Sequence, residues 1–119
     1  MLGINEYQER AHETADYPYG YIMGPKKSSK ASWVYPALGL AEEAGEVAGK
    51  FAKIVRDDIG EIEEEKKQAI IKELGDVCWF VAEIAYVLDV SLEEIMQKNL
   101  DKLASRKQRG VIHGNGDER

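Results

Sequence analysis

Hydrophobic residues recur every three or four positions along four stretches of the chain, a spacing that predicts four amphipathic helices. Asn5 is placed to cap the first helix, and Ser91 followed by Glu94 is a capping box for the fourth. No stretch alternates in the manner of a strand, so the predicted class is all-α. The predicted helices cover residues of roughly 5–16, 35–56, 61–88 and 91–107.

Two long segments fall outside these helices, and a chain of 119 residues suits a single domain over 1–119. Residues 17–34 include two prolines, two glycines and three lysines, which predicts an irregular loop that is either a lid or a spacer. Residues 108–119 are rich in glycine and are expected to form an extended tail. The tail and the loop lysines Lys26, Lys27 and Lys30 are candidates to cover a site.

The amino-acid composition limits which kinds of molecule the protein is expected to bind. A net charge of -6 argues against a nucleic-acid partner, which normally needs a basic surface. No apolar run approaches the roughly 20 residues of a membrane span, and residues 1–6 lack the regions of a signal peptide, so no membrane association is expected. The single cysteine, Cys78, is predicted to be a small buried residue, and a cytoplasmic location is expected.

Two clusters of acidic residues are candidates for a functional site. The cluster on the third predicted helix has the more unusual position on its helix. On a helical wheel Glu73 falls within about 60° of an apolar stripe, and Asp76 lies at the edge of that stripe. A carboxylate on a core-facing stripe is costly unless it is protonated, paired or bound to a metal ion. The stripe consists of Ile70, Val77, Phe80, Ile84 and Val87.

The second predicted helix repeats the arrangement, with Glu43 bordering its stripe, Glu46 one turn on and Glu42 beside them. Its apolar stripe consists of Leu40, Ala44, Val47, Phe51 and Ile54. Packing of the two helices would gather four carboxylates, those of Glu43, Glu46, Glu73 and Asp76. A site made of oxygen ligands suits Mg²⁺ or Mn²⁺ and not zinc.

These carboxylates have two alternative interpretations. Lys50 and Lys53 follow on the second helix and would support a structural ion-pair network, but two lysines do not balance five carboxylates. A di-iron site needs Glu-x-x-His motifs, and neither His12 nor His113 supplies one. The acidic run over 61–65 is different, because lysines follow it, and it is predicted to be a solvated face.

The fourth predicted helix carries the opposite charge. Asn99 falls on the core-facing side, and Lys102 and Arg106 lie within about 60° of it. The apolar residues around Asn99 on that side are Leu92, Ile95, Met96 and Leu103. The alternative is that Lys102 and Arg106 lie at the surface, with their aliphatic stems along apolar neighbours and their charged ends in water. If the acidic stripe holds a metal ion, a phosphate group could bind between the two stripes. Its oxygens would contact the metal ion on one side and the Lys102/Arg106 pair on the other.

Glu42-Glu43-Ala-Gly-Glu46, followed after 26 residues by Glu73-Leu-Gly-Asp76, resembles the EExxE…ExxD signature of MazG-type nucleotide pyrophosphohydrolases. The resemblance covers most of residues 35–119 and implies an oligomeric four-helix bundle of the all-α NTP pyrophosphatase type. It implies hydrolysis of a (deoxy)nucleoside triphosphate between the α and β phosphates, releasing a monophosphate and pyrophosphate. The Mg²⁺ ligands that it implies, with Mn²⁺ as a possible substitute, are Glu43, Glu46, Glu73 and Asp76. The triphosphate contacts that it implies are Asn99, Lys102 and Arg106.

Water is the expected nucleophile, since no serine, cysteine or histidine sits in a plausible triad. Glu42, left over from the four-ligand set, is the candidate to orient or deprotonate that water, with Glu46 as the alternative. Trp33 is a candidate to stack on a base, whereas Trp79 is predicted to pack in the core or an interface. His12 is predicted to be a surface histidine.

Relatives in this superfamily are dimers or tetramers, so a homodimer or homotetramer is expected, with sites near the interfaces. Two other functions stay open. One is a phosphoribosyl-ATP pyrophosphohydrolase, which performs similar bond chemistry on a different nucleotide. The other is a non-catalytic helical interaction module that retains the acidic cluster for structural Mg²⁺ or for no ion.

Overall fold

The computed structural model describes residues 1–17 and 33–119, and these ranges contain four α-helices and no strand. The all-α prediction is therefore confirmed. The helices are α1 (Ile4–Glu13), α2 (Val34–Asp58), α3 (Glu64–Val87) and α4 (Leu92–Gln108). Most of the predicted loop, with Lys26, Lys27 and Lys30, lies outside the described residues. Among the described helices, none is long and apolar enough to cross a membrane.

Local sequence signals set most of the helix ends. α2 ends where Ile59 and Gly60 adopt left-handed φ angles of 57° and 80°. Ser91 caps α4, because its hydroxyl accepts a hydrogen bond of 3.1 Å from the backbone N–H of Glu94. The prediction for α1 was wrong: Gly3 is the N-cap, and the Asn5 amide instead donates to the Glu93 carboxylate at 2.8 Å. A contact between α1 and α4 thus displaced a local cap.

Helix α3 is the centre of the fold. α1 and α4 pack on it and on each other, whereas α2 contacts only α3 among the described helices. The buried core lies where α1, α3 and the start of α4 meet, and it includes Ala11, Ala82 and Leu92. Since α2 and α4 do not touch, a single chain leaves its four helices open on one side.

The close approach of α2 to α3 is centred on Gly39. A Cβ atom at this buried glycine would lie 2.2 Å from the Phe80 ring, so any larger residue would push the helices apart. Tyr35, one turn earlier on α2, packs edge-on against the same ring at a centroid distance of 5.7 Å. This contact fixes the separation of α2 and α3 one helical turn before the acidic motif.

Several residues predicted to be buried are exposed instead: Ala44, Phe51, Cys78, Asn99, Met96 and Leu103. On α4 the reason is that only the first turns pack against α1 and α3, so no helix covers the later ones. Cys78 lines an apolar groove of about 380 Å³ between α1, α3 and α4. The groove's other walls include Leu2, Ile4, Tyr7, Val77, Val81 and Met96.

Candidate active site

Three carboxylates of the two acidic motifs converge between α2 and α3. One oxygen from each of Glu43, Glu73 and Asp76 lies within 4.8 Å of the others. Two oxygens bound to one Mg²⁺ or Ca²⁺ ion at roughly 2.0–2.6 Å lie at most about 5 Å apart, so the three oxygens are close enough to share an ion. Glu43 and Glu73 are half-buried and Asp76 is exposed, so the cluster is open to solvent on one side. The donor set therefore fits a hard divalent cation.

The antiparallel pairing of α2 and α3 explains why these residues meet. Gly39 faces Phe80; four residues further along α2 is Glu43, and four residues back along α3 is Asp76. Glu73 follows one turn further back on α3, on the same side as Asp76. The spacing of the two acidic motifs and the close contact of Gly39 with Phe80 therefore require the same antiparallel register of α2 and α3.

Electrostatic repulsion is strong in this cluster. Partial burial raises the pKa of the Glu43 carboxyl, and the neighbouring carboxylates of Asp76 and Glu73 raise this pKa further. Lys50, also on α2, places its Nζ 3.0 Å from Glu73 Oε1. The predicted alternative of an ion-pair network is thus present in part, but one ammonium does not balance three carboxylates.

Two acidic residues of the first motif stand apart from the group of three. Glu46 is exposed on the next turn of α2, and Glu42 is exposed beside Glu43. A fourth ligand or a proton acceptor at the rim of the cluster requires a carboxylate that is accessible to water. Both residues satisfy that requirement.

Asn99, Lys102 and Arg106 on α4, the predicted polar stripe, face a different part of the molecule from the acidic cluster. Arg106 is buried beneath the tail and donates from Nη2 to the carbonyl oxygen of Asp117 at 2.7 Å. Lys102 Nζ lies 3.6 Å from Asp117 Oδ1, while Asn99 is exposed. The contacts of one chain thus hold these cations against the tail and not against the acidic cluster.

The tail is folded and not extended, contrary to the prediction. The Arg119 side chain donates to the carbonyl oxygens of Val111, Ile112 and Gly116. Gly114 and Gly116 have φ angles of 133° and 84°, which allow the chain to turn around this guanidinium. A glycine-rich composition favours an open tail, but here the same glycines permit a compact one.

Aromatic side chains surround the seat of α2 on α3. Trp33 is 55% exposed at the start of α2 and is accessible to a ligand. Trp79 packs as predicted, with its indole N–H donating to Thr14 Oγ1 at 2.8 Å and its ring edge-on to Phe80. Trp79 therefore fixes α1 on α3, and Trp33 is the more accessible candidate for a base contact.

One buried polar network lies outside the sites predicted from the sequence. Glu83 on α3 is only 1% exposed, and its carboxylate accepts a hydrogen bond of 3.1 Å from the Tyr17 hydroxyl. His12 Nδ1 lies 3.1 Å from the same carboxylate, so His12 is a partner of a buried group and not a simple surface histidine. Glu83 is the only charged residue over 77–88, and that isolation was the available signal.

The chain is an all-α protein that presents motif carboxylates from two antiparallel helices, and comparison with known proteins identifies its family. The MazG nucleotide pyrophosphohydrolase domain matches residues 36–111. The chain belongs to this family, whose members hydrolyse phosphoric anhydrides of nucleotides. The matched range includes both acidic motifs and all of α3 and α4.

Two relatives extend the comparison. Gene 37 protein of Mycobacterium phage L5 is 46% identical over 118 residues, which cover 99% of this chain and 100% of that protein. Uncharacterized protein YvdC of Bacillus subtilis (strain 168) is 42% identical over 72 residues, covering 56% of this chain and 68% of that protein. No solved structure matches the chain significantly. The relatives' names indicate no substrate.

Proposed function

We propose that this protein is a Mg²⁺-dependent nucleoside triphosphate pyrophosphohydrolase that releases a nucleoside monophosphate and pyrophosphate. The observation that carries the proposal is the convergence of Glu43, Glu73 and Asp76 in a chain of the MazG family. A protein with a net charge of -6 needs bound cations to hold a triphosphate, and this cluster suits them.

The proposed reaction is an attack of water on the α-phosphorus. Mg²⁺ held by Glu43, Glu73 and Asp76, with Glu46 as a fourth ligand, would polarise the α-phosphate and favour ionisation of the water. Glu42 accepts the water proton in this scheme, and Glu46 is the alternative acceptor. A bond forms from the water oxygen to the α-phosphorus, and the bond from that phosphorus to the α–β bridging oxygen breaks. The bridging oxygen leaves with pyrophosphate.

Binding of the triphosphate is assigned to Asn99, Lys102 and Arg106, and stacking on the base to Trp33. Because α4 does not contact α2 within one chain, we propose a homodimer or homotetramer in which α4 of a neighbouring subunit faces the acidic cluster. Exposed apolar side chains on α3 and α4 provide a surface for such an assembly. They include Leu74, Met96, Leu100 and Leu103.

Product analysis tests this proposal. The protein is incubated with Mg²⁺ and each canonical or modified nucleoside triphosphate, and separately with phosphoribosyl-ATP. A monophosphate with pyrophosphate supports the proposal, whereas a diphosphate with phosphate contradicts the cleavage position. Turnover of phosphoribosyl-ATP alone favours the first alternative, and no turnover of any nucleotide favours the interaction module.

A pair of variants tests the ligand assignment. Glu73→Gln and Asp76→Asn are expected to abolish turnover while the far-ultraviolet circular dichroism stays helical, because each removes a charged ligand with little change in shape. Glu65→Gln is the matched control, since Glu65 is exposed on the first turn of α3. Mg²⁺-dependent turnover in both ligand variants would rule the assignment out.

A further inference from the structure

The part of the predicted 108–119 tail that follows α4 and its cap, residues 110–119, is anchored by Arg119. The Arg119 guanidinium donates to Val111 and Ile112 carbonyl oxygens at 3.2 Å and 3.1 Å and also to Gly116. Arg109 at the end of α4 donates in turn to the Arg119 carbonyl oxygen at 2.9 Å. These contacts close the tail on itself and hold it against α4. Asp117 is thereby positioned next to Lys102 and Arg106.

Beneath the tail, Arg106 is only 5% exposed although it is charged. Its Nε atom is buried without a hydrogen-bond partner, the one such side-chain atom in the part of the chain that the structure describes. A buried donor without a partner is destabilising and points to a ligand that satisfies it in another state. The guanidinium is therefore only partly satisfied by the tail.

The carboxylate that faces this guanidinium is loosely held. Asp117 is 84% exposed at its side chain, and its Oδ1 lies 3.4 Å from Arg106 Nη2 and 3.6 Å from Lys102 Nζ. Charge-assisted hydrogen bonds of good geometry are nearer to 2.7–2.9 Å. One carboxylate thus occupies two cations at long distances, whereas a phosphate group offers more oxygens and more negative charge to the same pair.

We propose that Asp117 is a displaceable substitute for phosphate, which occupies Lys102 and Arg106 in the free protein and leaves when a polyphosphate binds. The tail then acts as a gate that competes with the substrate's phosphate chain. This inference rests on the proposed role of Lys102 and Arg106 as triphosphate contacts. It assigns the tail a regulatory part in substrate binding.

Pyrophosphate binding without metal tests the gate apart from catalysis. Affinity for inorganic pyrophosphate is measured by calorimetry in the presence of a chelator for the wild type, Asp117→Asn and Glu118→Gln. Asp117→Asn is expected to bind about fivefold more tightly, because it removes the competing charge but keeps the backbone contact to Arg106. Glu118→Gln makes the same change of charge at an exposed neighbour and is expected to match the wild type.

A second variant opens the tail by another route. Arg119→Gln replaces the guanidinium, which donates to three carbonyl oxygens of the tail, with a shorter amide that cannot reach all of them. The pyrophosphate affinity of this variant is also expected to rise, and its tail amides to exchange faster with solvent. Pyrophosphate is expected to accelerate the same exchange in the wild type. Protection of tail amides by pyrophosphate would overturn the proposal, because the tail would then close over the ligand. Equal affinity of Asp117→Asn and Glu118→Gln would overturn it as well.

The outcomes separate the gate from the proposed function. If no nucleotide is hydrolysed but Asp117→Asn binds pyrophosphate more tightly, the enzyme proposal fails and the competition stands. If nucleotides are hydrolysed and the KM of Asp117→Asn equals that of Glu118→Gln, the gate fails and the enzyme proposal stands. Arg106→Ala, made in the Asp117→Asn background, is expected to return pyrophosphate affinity to the wild-type value or below, and an unchanged affinity would refute the assigned cations.

Discussion

At the scale of single residues, charge dominates the candidate site. Glu43, Glu73 and Asp76 place carboxylate oxygens within 4.8 Å of one another, and Lys50 offers one ammonium at 3.0 Å from Glu73. The remaining repulsion is unfavourable in the absence of a further cation. The proposed Mg²⁺ ion would offset this repulsion.

The first prediction follows from that repulsion. Glu43→Gln is expected to raise the thermal midpoint of the metal-free protein, because it removes one of three like charges. The same variant is expected to lose most of the stabilisation that Mg²⁺ gives the wild type. Differential scanning calorimetry with and without Mg²⁺ measures both effects, with Glu65→Gln as the control. A metal-free midpoint below that of the wild type would contradict the prediction.

The second prediction concerns Glu83, which links α1 to α3. Glu83→Ala is expected to lower the free energy of unfolding by about 3 kcal/mol, because it leaves the Tyr17 hydroxyl and the His12 ring without their buried partner. Tyr17→Phe, which removes the hydrogen bond from the Tyr17 hydroxyl to Glu83, is expected to cost about 1 kcal/mol. Urea denaturation measures both variants. Equal losses for the two would show that the carboxylate is not the centre of the network.

At the scale of helices, the pairing of α2 with α3 sets the site. Contacts between the two helices occur at Gly39 with Phe80 and continue toward the connecting turn. Lys50 reaches Glu73 further along, and Asp58 pairs with Lys66 where the helices are joined. The site therefore depends on one antiparallel register, which is fixed at both of its ends.

The third prediction tests the close contact of Gly39 on α2 with Phe80 on α3. Gly39→Ala is expected to lower the free energy of unfolding by about 1–3 kcal/mol and to weaken Mg²⁺ binding, since its Cβ would meet the Phe80 ring at 2.2 Å. Gly49→Ala on the same helix is the matched control, because a Cβ there has no neighbour within 4 Å. The control is expected to gain about 0.4–1 kcal/mol. Equal effects of the two substitutions in chemical denaturation would exclude the steric explanation.

The fourth prediction is a pH dependence at the α2–α3 turn. The hydrogen bond to Asp58 raises the pKa of Lys66 above its ordinary 10.5. The stabilisation by this pair is therefore fully present below pH 10.5 and is lost as the pH rises through the higher folded-state pKa. Lys66→Gln is expected to melt below the wild type at neutral pH, with the difference vanishing at strongly alkaline pH. Lys72→Gln, at an exposed position on α3, is the control, and a pH-independent difference for Lys66→Gln would contradict the prediction.

At the scale of the whole molecule, the two halves of the proposed site lie apart, because α4 packs on α3 but does not touch α2. α2 and α3 carry the acidic cluster, and α4 carries Lys102 and Arg106. An assembly of subunits is the proposed means of joining them, and apolar side chains exposed on α3 and α4 are available for its interface.

The fifth prediction tests a site shared between subunits. Glu73→Gln lacks a metal ligand and Arg106→Ala lacks a phosphate contact, so each is expected to be inactive alone. Mixing and refolding the two variants together is expected to restore part of the activity, because mixed oligomers contain one intact composite site. Turnover of nucleoside triphosphate is measured alongside the mass by light scattering. Inactivity of a confirmed mixed oligomer would show that both groups act within one chain.

Much of the fold followed from the sequence. The four helices, the cap at Ser91 and the break at Ile59 and Gly60 depend on periodicity and local backbone preferences, which act over a few residues. The carboxylates of Glu43, Glu73 and Asp76 were identified because their spacing along each helix is also a local property.

Tertiary structure decided the remainder, because it depends on surfaces that are distant in sequence. Only the packed helices show that Gly39 seats α2 on Phe80 and that Asn5 pairs with Glu93 and gives up the cap. Exposure of Cys78 follows from a groove built by three helices, and no periodicity encodes it. Burial of Arg106 beneath a folded tail likewise required the chain to turn back on itself, which glycine permits but does not dictate.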